Sequence, residues 1–419
     1  TTILVVDDEQ KVRDSVGAVL RDEGFDVAVA GDGPEALDIL SRMRPALVLL
    51  DVWMPNMDGI ELLERIRGEG GDVPVIVVSG HGNIEMAVKA TRLGAVDFIE
   101  KPFSIDGLLS SVRRALKIPD ADAPRTGNAR PRETGRAAAA GGPVTRQRTL
   151  ARSVVGSGLG LHSGVRTGLI LHPLPPGSGI RFGRVGTEEF VPAHVDYVDS
   201  TGYATTLYKE GLVARTVEHL MAALHAYGIS NLLVKVEGEV PILDGSAVEL
   251  CELIESAGIE EQDDVLPVLV ADCTHEVSGD DDAAIRIEPY DGFRVTYELV
   301  YPEPVGAQAY TFEMTGPESF RREIAPARTF GFVEEIRALE SAGLGQGGQL
   351  GNFILIGEQG IVNTDLRFPE ELARHKILDL IGDSYLLGRP LRGAIHARKT
   401  GHRHNVALMR LLREALLSS

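Results

Sequence analysis

Two short runs of the chain, ILVVDD at residues 3–8 and LVLLD at residues 47–51, each place four large aliphatic residues before aspartate. A continuous apolar run of this length is typical of a strand buried on both faces, because a half-buried strand alternates polar and apolar positions. The runs VAVA at 27–30, VIVV at 75–78 and DFI at 97–99 extend the pattern. Each of the five runs is followed by a segment with helical periodicity.

Five strand–helix units predict an α/β doubly wound five-stranded parallel sheet for residues 1–118. In such sheets the functional groups gather at the carboxyl ends of the strands. The polar residues at those ends are Asp7, Asp8, Asp51, Ser79 and Lys101. Converging carboxylates repel one another unless a hard cation such as Mg²⁺ neutralises them. We therefore predict a magnesium site formed by the three aspartates; acidic strand ends that are merely solvated are the alternative.

The composition changes after Lys117. Ala, Pro and Gly occupy 15 of the 27 positions from 119 to 145, and Val144 is the single large aliphatic residue there. Such a segment cannot bury enough apolar surface to offset its conformational entropy. We therefore predict a flexible linker over residues 119–147, between a first domain at 1–118 and a second folded part at 148–419.

Charge and composition exclude several classes of protein. The formal net charge is −19, of which residues 148–419 contribute −14, and this opposes binding to nucleic acid. Two cysteines are too few for a disulfide scaffold. Apolar runs of membrane-spanning length are absent from the sequence, and the N-terminus enters a strand directly. We expect a cytoplasmic protein that is not an integral membrane protein.

Three segments of the second part carry groups with catalytic chemistry. Glu218 and His219 are adjacent at the start of a helical pattern. His375 and Asp379 are four residues apart and so share one helix face. His402 follows a turn before the last helix. A surface dipeptide and a helix ion pair are the alternatives for the first two pairs, and spacing alone does not show that the segments meet.

If the segments do meet, two histidines and one carboxylate that leave a fourth position to water form a catalytic zinc arrangement. Zinc lowers the pKa of its water to about 7 and polarises a carbonyl group. Glu218, next to a metal-binding histidine, is placed to take the proton of that water. His402 is the candidate for the second protonatable group that the leaving amine or the oxyanion requires.

The first domain resembles the receiver domain of two-component response regulators over all of residues 1–118. The resemblance is carried by VVDDE (5–9), LLDVWMPNMDGIEL (49–62), VVSGHG (77–82) and DFIEKPF (97–103).

This resemblance implies that a sensor histidine kinase phosphorylates Asp51. It also implies that Asp7 and Asp8 hold Mg²⁺ beside Asp51. In receiver domains a lysine pairs with the phosphoryl oxygens and two further residues form the switch pair that reports phosphorylation. The matching positions are Lys101 for the lysine and Ser79 and Phe98 for the switch pair.

The second part resembles the zinc-dependent UDP-3-O-acyl-N-acetylglucosamine deacetylases of lipid A synthesis, from about Gln147 to Leu412. The matching pieces are VVGSGLGLHSG (154–164), VEHLMAAL (217–224), VPILDGSA (240–247), ARTFGF (327–332), RHKILDLIGD (374–383) and KTGHRHN (399–405). The family fold implies an α+β protein with two halves, each a layered α+β sandwich with a small insert. We expect these halves at 148–265 and 266–419.

The same resemblance implies a role for each matching residue. His219, His375 and Asp379 become the zinc ligands, Glu218 the general base, and His402 a protonated group that stabilises the oxyanion and protonates the glucosamine nitrogen.

Six further roles follow from the deacetylase resemblance. Thr329 hydrogen-bonds the oxyanion, and Asp383 orients His402. The expected contacts with substrate are Lys376 and Lys399 on the sugar and diphosphate, Tyr301 on the uracil ring, and His162 in the glycine-rich turn near the site.

We therefore expect hydrolysis of the N-acetyl group of the UDP-acyl-sugar, in a chain whose receiver domain modulates the enzyme or forms a dimer. A response regulator with a catalytically inactive, nucleotide-sugar-sensing output module is the alternative. A DNA-binding regulator would need a basic helix-turn-helix after the linker, and the sequence there contains none.

Overall fold

The structure is a computed structural model that describes residues 1–52, 54, 57–68, 71–79, 89–90, 93–100, 103–118, 142–335, 345–348 and 351–417. The chain divides into two compact units, Thr1–Pro143 and Val144–Ser419.

The first unit contains the parallel sheet that the apolar runs predict. Its strands, in spatial order, are Asp26–Ala30, Thr2–Val6, Leu47–Asp51, Val75–Ser79 and Asp97–Glu100, with every neighbouring pair parallel. The described helices are Gln10–Asp22, Gly33–Arg42, Gly59–Gly68 and Ile105–Ala115, and Phe103–Ser104 is a short strand. The helical segment that the sequence predicts after the fourth strand lies largely outside the described residues.

Burial explains the continuous apolar runs of this sheet. Every residue of Leu47–Asp51 and of Val75–Ser79 is buried, because these central strands are covered on both faces. Asp51 and Ser79 are therefore buried polar groups at the carboxyl ends of adjacent strands, where the fold places functional side chains.

The second unit is α+β with mixed sheets. Its described helices are Glu218–Tyr227, Val248–Ala257, Pro317–Glu323, Glu371–Tyr385 and His402–Leu417, with a 3₁₀ turn at Val195–Tyr197. One mixed sheet has the strand order Phe190–Pro192, Ile180–Gly183, Leu232–Val236, Arg166–Pro173, Val154–Leu159. The other has the order His275–Ser278, Ala284–Glu288, Leu391–Arg398, Phe293–Val300, Ala307–Glu313, with Leu269–Val270 also pairing with Leu391–Arg398.

The described residues of the second unit also form three smaller sheets. One is a ribbon of Val144–Leu150 and Ile259–Pro267. Each of the other two has three short strands: Val198–Ser200, Thr206–Lys209 and Leu212–Ala214 in the first, and Phe330–Phe332, Ile354–Gly357 and Gly360–Ile361 in the second.

The ribbon crosses both boundaries expected from the sequence. Its first strand begins at Val144 rather than 148, because the partner strand continues to Pro267 and pairs with Val144. That partner strand also runs through the expected division at 265/266. A single hydrophobic core contains Leu150, Leu232, Ile285 and Leu412, so side chains from both expected halves pack together.

Two helices of the second unit cross at the centre of this core. Helix Glu218–Tyr227 is buried along its whole length, and helix Glu371–Tyr385 nearly so. Gly382 allows their close approach, because a Cβ atom at that position would overlap the backbone carbonyl of Glu218. Two of the three segments that the sequence singles out for chemistry therefore lie on helices in backbone contact.

Candidate active site

The two central helices bring His219, His375 and Asp379 together in a buried cluster. Asp379 Oδ1 lies 3.5 Å from His219 Nε2 and 3.4 Å from His375 Nε2, and the two imidazole rings meet edge to face. One ligand atom from each residue lies within 4.8 Å of the other two, so this group could hold a metal ion.

The orientation of His375 is set by the segment that precedes Thr329. Its Nδ1 donates a hydrogen bond to the carbonyl oxygen of Ala327, at 3.1 Å, which leaves Nε2 facing Asp379. Burial lowers the pKa of His375 to about 3, so the ring is neutral, which is the form that binds metals. The adjacent Arg328 anchors the same segment through a buried ion pair with Glu371, at 2.9 Å.

Asp379 is held in its charged form. Burial opposes its ionisation, but contacts with His375 and Lys376 hold the pKa of its carboxyl well below the usual range. Lys376 Nζ lies 3.1 Å from Asp379 Oδ2. Burial likewise opposes the charge of Lys376, but Asp379 raises the pKa of this lysine above its usual value. The cluster thus offers one carboxylate and two imidazoles, with a cation beside the carboxylate.

Glu218 and His402 lie next to this cluster. Glu218 Oε1 is 3.8 Å from His402 Nε2, and that nitrogen is 4.0 Å from Asp379 Oδ2. Burial raises the pKa of Glu218 above its usual range. Burial opposes protonation of His402, but Asp383 and then Glu218 and Asp379 raise its pKa to about 9. The pair thus combines the Glu218 carboxylate, whose raised pKa favours proton uptake, with the protonated His402 imidazole, which can donate a proton.

Asp383 is the fully buried acceptor that orients His402. Its Oδ2 accepts hydrogen bonds from His402 Nδ1 at 2.8 Å and from Asn405 Nδ2 at 2.9 Å, and its Oδ1 accepts one from Thr205 Oγ1 at 2.6 Å. Thr205 Oγ1 also lies 3.2 Å from His402 Nδ1, and its backbone N–H donates to Glu218 Oε2 at 3.1 Å. Thr205 therefore contacts three members of the site.

The sequence reasoning missed the roles of Thr205 and Asn405. Asn405 is three residues after His402 on one helix, so its spacing could have placed it on the same face. Thr205 directly precedes strand Thr206–Lys209, and no local pattern distinguishes it.

A cluster of three aromatic side chains lies beside Lys376. Tyr301 lies 5.0 Å from Phe332 and 6.0 Å from Phe330, measured between ring centroids, and Lys376 Nζ lies 5.4 Å from the Phe330 centroid. Phe330 also makes an edge contact with the His375 ring.

Thr329, directly before Phe330, is half-buried and is held by backbone hydrogen bonds to Gly245 and Ile354.

His162 and Lys399 occupy different surroundings. His162 is buried, and its backbone N–H donates to Glu239 Oε1 at 2.8 Å. Neither of its ring nitrogens has a hydrogen-bond partner among the described residues, and burial lowers its pKa. Lys399 Nζ donates to the carbonyl oxygen of Asp281, in the acidic turn of hairpin 275–288.

The strand ends of the first unit form a second polar site. Asp7 and Asp51 are buried and line one small cavity with Val5, Val78 and Leu108, whereas Asp8 is exposed. Ser79 is buried at the end of its strand. The backbone of Phe98 pairs with Val77. Lys101 lies outside the described residues.

Comparison with known proteins identifies the family to which the second part of the chain is similar. Residues 147–414, more than half of the chain, match the model of the family described as UDP-3-O-acyl N-acetylglycosamine deacetylase.

The chain belongs to this deacetylase family.

Curated relatives carry the same name. The UDP-3-O-acyl-N-acetylglucosamine deacetylase of Myxococcus xanthus is 46% identical over 270 residues, which are 63% of this chain and 85% of the relative. The deacetylase of Neisseria gonorrhoeae is 41% identical over 273 residues, which are 63% of this chain and 89% of the relative. The relatives are thus matched over most of their length by the second unit.

The first unit matches a second family. Residues 3–113 match the model of the response regulator receiver domain, which confirms the resemblance seen in the sequence. Among solved structures, the receiver domain of NtrX from Brucella abortus is 48% identical, covers 27% of this chain and 98% of its own, and has a TM-score of 0.27. In the described part of the chain, no helix has both the length and the apolar character needed to cross a membrane.

Proposed function

We propose that this chain hydrolyses the N-acetyl group of UDP-3-O-(3-hydroxyacyl)-N-acetylglucosamine in a zinc-dependent reaction, giving acetate and the free amine in the committed step of lipid A biosynthesis. The observation that carries the proposal is the placement of Glu218 and His402 beside the cluster of His219, His375 and Asp379. The family membership supplies the substrate class.

The donor set fits zinc. In a tetrahedral zinc shell, nitrogen and oxygen ligands at about 2.0–2.2 Å from the metal lie about 3.4 Å from each other. The two imidazole nitrogens lie 3.5 and 3.4 Å from the Asp379 oxygen. Zinc with three protein ligands and an open position supplies a water of lowered pKa and polarises a carbonyl oxygen.

The remaining steps are assigned to side chains of this chain. Glu218 takes the proton from the attacking water, and its raised pKa suits a base that works near neutral pH. His402 stabilises the oxyanion and then gives its proton to the glucosamine nitrogen. Asp383 keeps His402 charged and fixes the direction of its ring. Thr329 stabilises the oxyanion from the other side.

We assign the substrate contacts to the groups around this centre. Lys376 and Lys399 bind the sugar and diphosphate, Tyr301 stacks on uracil, and His162 contributes its unpartnered ring to the polar part of the site. The hydrogen bond of Lys399 to Asp281 would have to break or be shared for this contact. The assignment for Lys399 is therefore tested separately, by a rise in KM in Lys399→Ala.

The zinc proposal is tested by metal content together with acetate release. Full-length protein should bind zinc and release acetate from the UDP-acyl-sugar, and a chelator should abolish the release until zinc is restored. His375→Ala should lose both properties, whereas Glu218→Gln should keep zinc and lose about 10²–10⁴-fold in kcat. His396→Ala, at a partly exposed histidine paired with Glu288, is the matched control and should keep both. Zinc binding without any acetate release in wild type would favour a nucleotide-sugar-sensing module over an enzyme.

For the receiver domain, we propose that a sensor histidine kinase phosphorylates Asp51. Asp7, Asp8 and Asp51 would hold Mg²⁺, Lys101 would pair with the phosphoryl group, and Ser79 and Phe98 would report its presence. The shared cavity of Asp7 and Asp51 supports this assignment.

We propose the domain division that the sequence predicts, with the receiver at 1–118, the linker at 119–147 and the deacetylase halves at 148–265 and 266–419, except that residues 144–147 belong to a strand of the second unit and strand Ile259–Pro267 spans the two halves. We propose further that phosphorylation of Asp51 modulates the deacetylase, directly or through a receiver-mediated dimer. Acetate release, mass in solution and half-life should be compared with and without a small phosphodonor that contains no acetyl group, in wild type and in Asp51→Ala. Identical values in all four conditions would contradict this regulation.

A further inference from the structure

Three side chains that could hold a metal ion lie close together, in a part of the chain well separated in sequence from the catalytic residues. Asp272 and Cys273 lie on the connection between strands Leu269–Val270 and His275–Ser278, and His275 is the first residue of the second of these strands. One ligand atom from each lies within 4.8 Å of the other two. Asp272 and Cys273 are exposed and His275 is half-buried, so an ion can reach the group from solvent.

The spacing of the two softer donors matches a metal shell. Cys273 Sγ lies 3.4 Å from His275 Nε2. In a tetrahedral zinc shell, a sulfur at about 2.3 Å and a nitrogen at about 2.0–2.1 Å from the metal lie about 3.6 Å apart. The two side chains therefore need to separate by only a few tenths of an ångström to bind one ion.

The backbone on both sides of the group is held by a sheet. Ala271 N–H donates to the carbonyl oxygen of Arg392 at 3.0 Å, and His275 is in register with Ile287 in the neighbouring strand. The three donors are thus presented by a short segment fixed at both ends, and little chain entropy is lost when an ion binds.

We propose that Asp272, Cys273 and His275 form a second metal site, which binds a soft divalent cation such as zinc and leaves the fourth position to water. The thiol of Cys273 releases its proton to solvent as the metal–sulfur contact forms. The bound ion ties the connection Ala271–His275 to the edge of the second mixed sheet. Binding at this site is independent of the cluster of His219, His375 and Asp379, which contains no sulfur.

The difference in sulfur gives a direct test. Metal-stripped full-length protein is titrated with Co²⁺ in buffer containing excess Mg²⁺, which occupies the all-oxygen sites of the receiver. A near-ultraviolet band from sulfur-to-cobalt charge transfer reports a thiolate ligand, which the catalytic cluster cannot supply. We expect this band in wild type and its displacement by Zn²⁺. It should be lost in Cys273→Ser and weakened in His275→Gln and Asp272→Asn.

Two controls separate this site from the others. His375→Ala should lose cobalt from the catalytic cluster but keep the charge-transfer band, so failure of the proposed catalytic function does not affect this result. Cys251→Ala removes the other thiol, whose pKa burial raises to about 12, and should also keep the band. A wild-type titration without the band, or a band that survives in Cys273→Ser, would overturn the proposal.

Discussion

Gly382 lies against the backbone of Glu218 so closely that a Cβ atom there would overlap the Glu218 carbonyl. Helix Glu371–Tyr385 carries His375, Asp379 and Asp383, and helix Glu218–Tyr227 begins with Glu218 and His219. The absence of a side chain at Gly382 therefore sets the separation of the two helices that carry residues of the candidate active site.

We predict that Gly382→Ala lowers the free energy of unfolding of the second unit by about 1–3 kcal/mol, because the core cannot accept the added methyl without a shift of the helices. Zinc content and acetate release should fall together. Gly17→Ala is the control, since the nearest neighbours of a Cβ there are side-chain atoms and the glycine is also helical. Gly17→Ala should leave the free energy of unfolding, the zinc content and the acetate release of the second unit unchanged. The argument would be refuted if calorimetry showed that the second unit loses equal stability in both variants, or loses none in either.

Thr205→Val should lower kcat by about tenfold, which corresponds to the loss of about one hydrogen bond, while zinc content and KM stay near the wild-type values. The substitution removes the hydroxyl that bridges Asp383 and His402 but keeps the backbone donor to Glu218. Thr205→Ser retains the hydroxyl and should restore most of the activity. If Ser and Val variants are equally slow, the role of Thr205 is packing.

The alkaline side of the pH profile should depend on Asp383. In the proposed mechanism His402 acts as an acid, so kcat/KM should fall as pH rises through the pKa of His402, which its carboxylate neighbours raise to about 9. The charge of a bound zinc would move this limb to lower pH. Asp383→Asn removes the negative charge 2.8 Å from Nδ1 and should move it further in the same direction. An alkaline limb at the same pH in wild type and Asp383→Asn would exclude His402 as its origin.

Much of the fold and site could be predicted from local patterns. Buried runs such as Leu47–Asp51 reveal parallel strands directly, and the four-residue spacing of His375 and Asp379 places them on one face of a helix. The contacts of Thr205 with Asp383 and His402, and of Gly382 with Glu218, join residues more than 160 positions apart. No local periodicity encodes such contacts, because they depend on how the helices pack.

Stability in mild acid should depend on His225. This ring stacks on Tyr385, with centroids 4.4 Å apart, and its Nδ1 donates to the carbonyl oxygen of Ile381. Burial lowers its pKa to about 4, so between pH 6.5 and 4 the unfolded chain binds a proton that the folded chain does not. The free energy of unfolding should therefore fall as the pH is lowered from 6.5 to 4, and this group should contribute up to about 3 kcal/mol of the loss.

His225→Phe is the comparison for that slope, since the ring can still stack on Tyr385 and has no proton to bind. Denaturant unfolding of the second unit at several pH values should give a smaller loss of stability in the variant. Parallel curves for wild type and variant would show that His225 does not titrate in this way.

The ribbon of Val144–Leu150 and Ile259–Pro267 has a mechanical consequence. The chain enters the second unit at Val144, the outermost pair of an antiparallel ribbon whose other strand leads into the second mixed sheet. A pull on the chain at this point would peel the ribbon open one pair at a time, from Pro267 inward, rather than shear all its hydrogen bonds at once. The irregular register between Glu261 and Val265 divides that peeling into two stages, so the pairs of Val144–Arg146 would open before those of Arg148–Leu150.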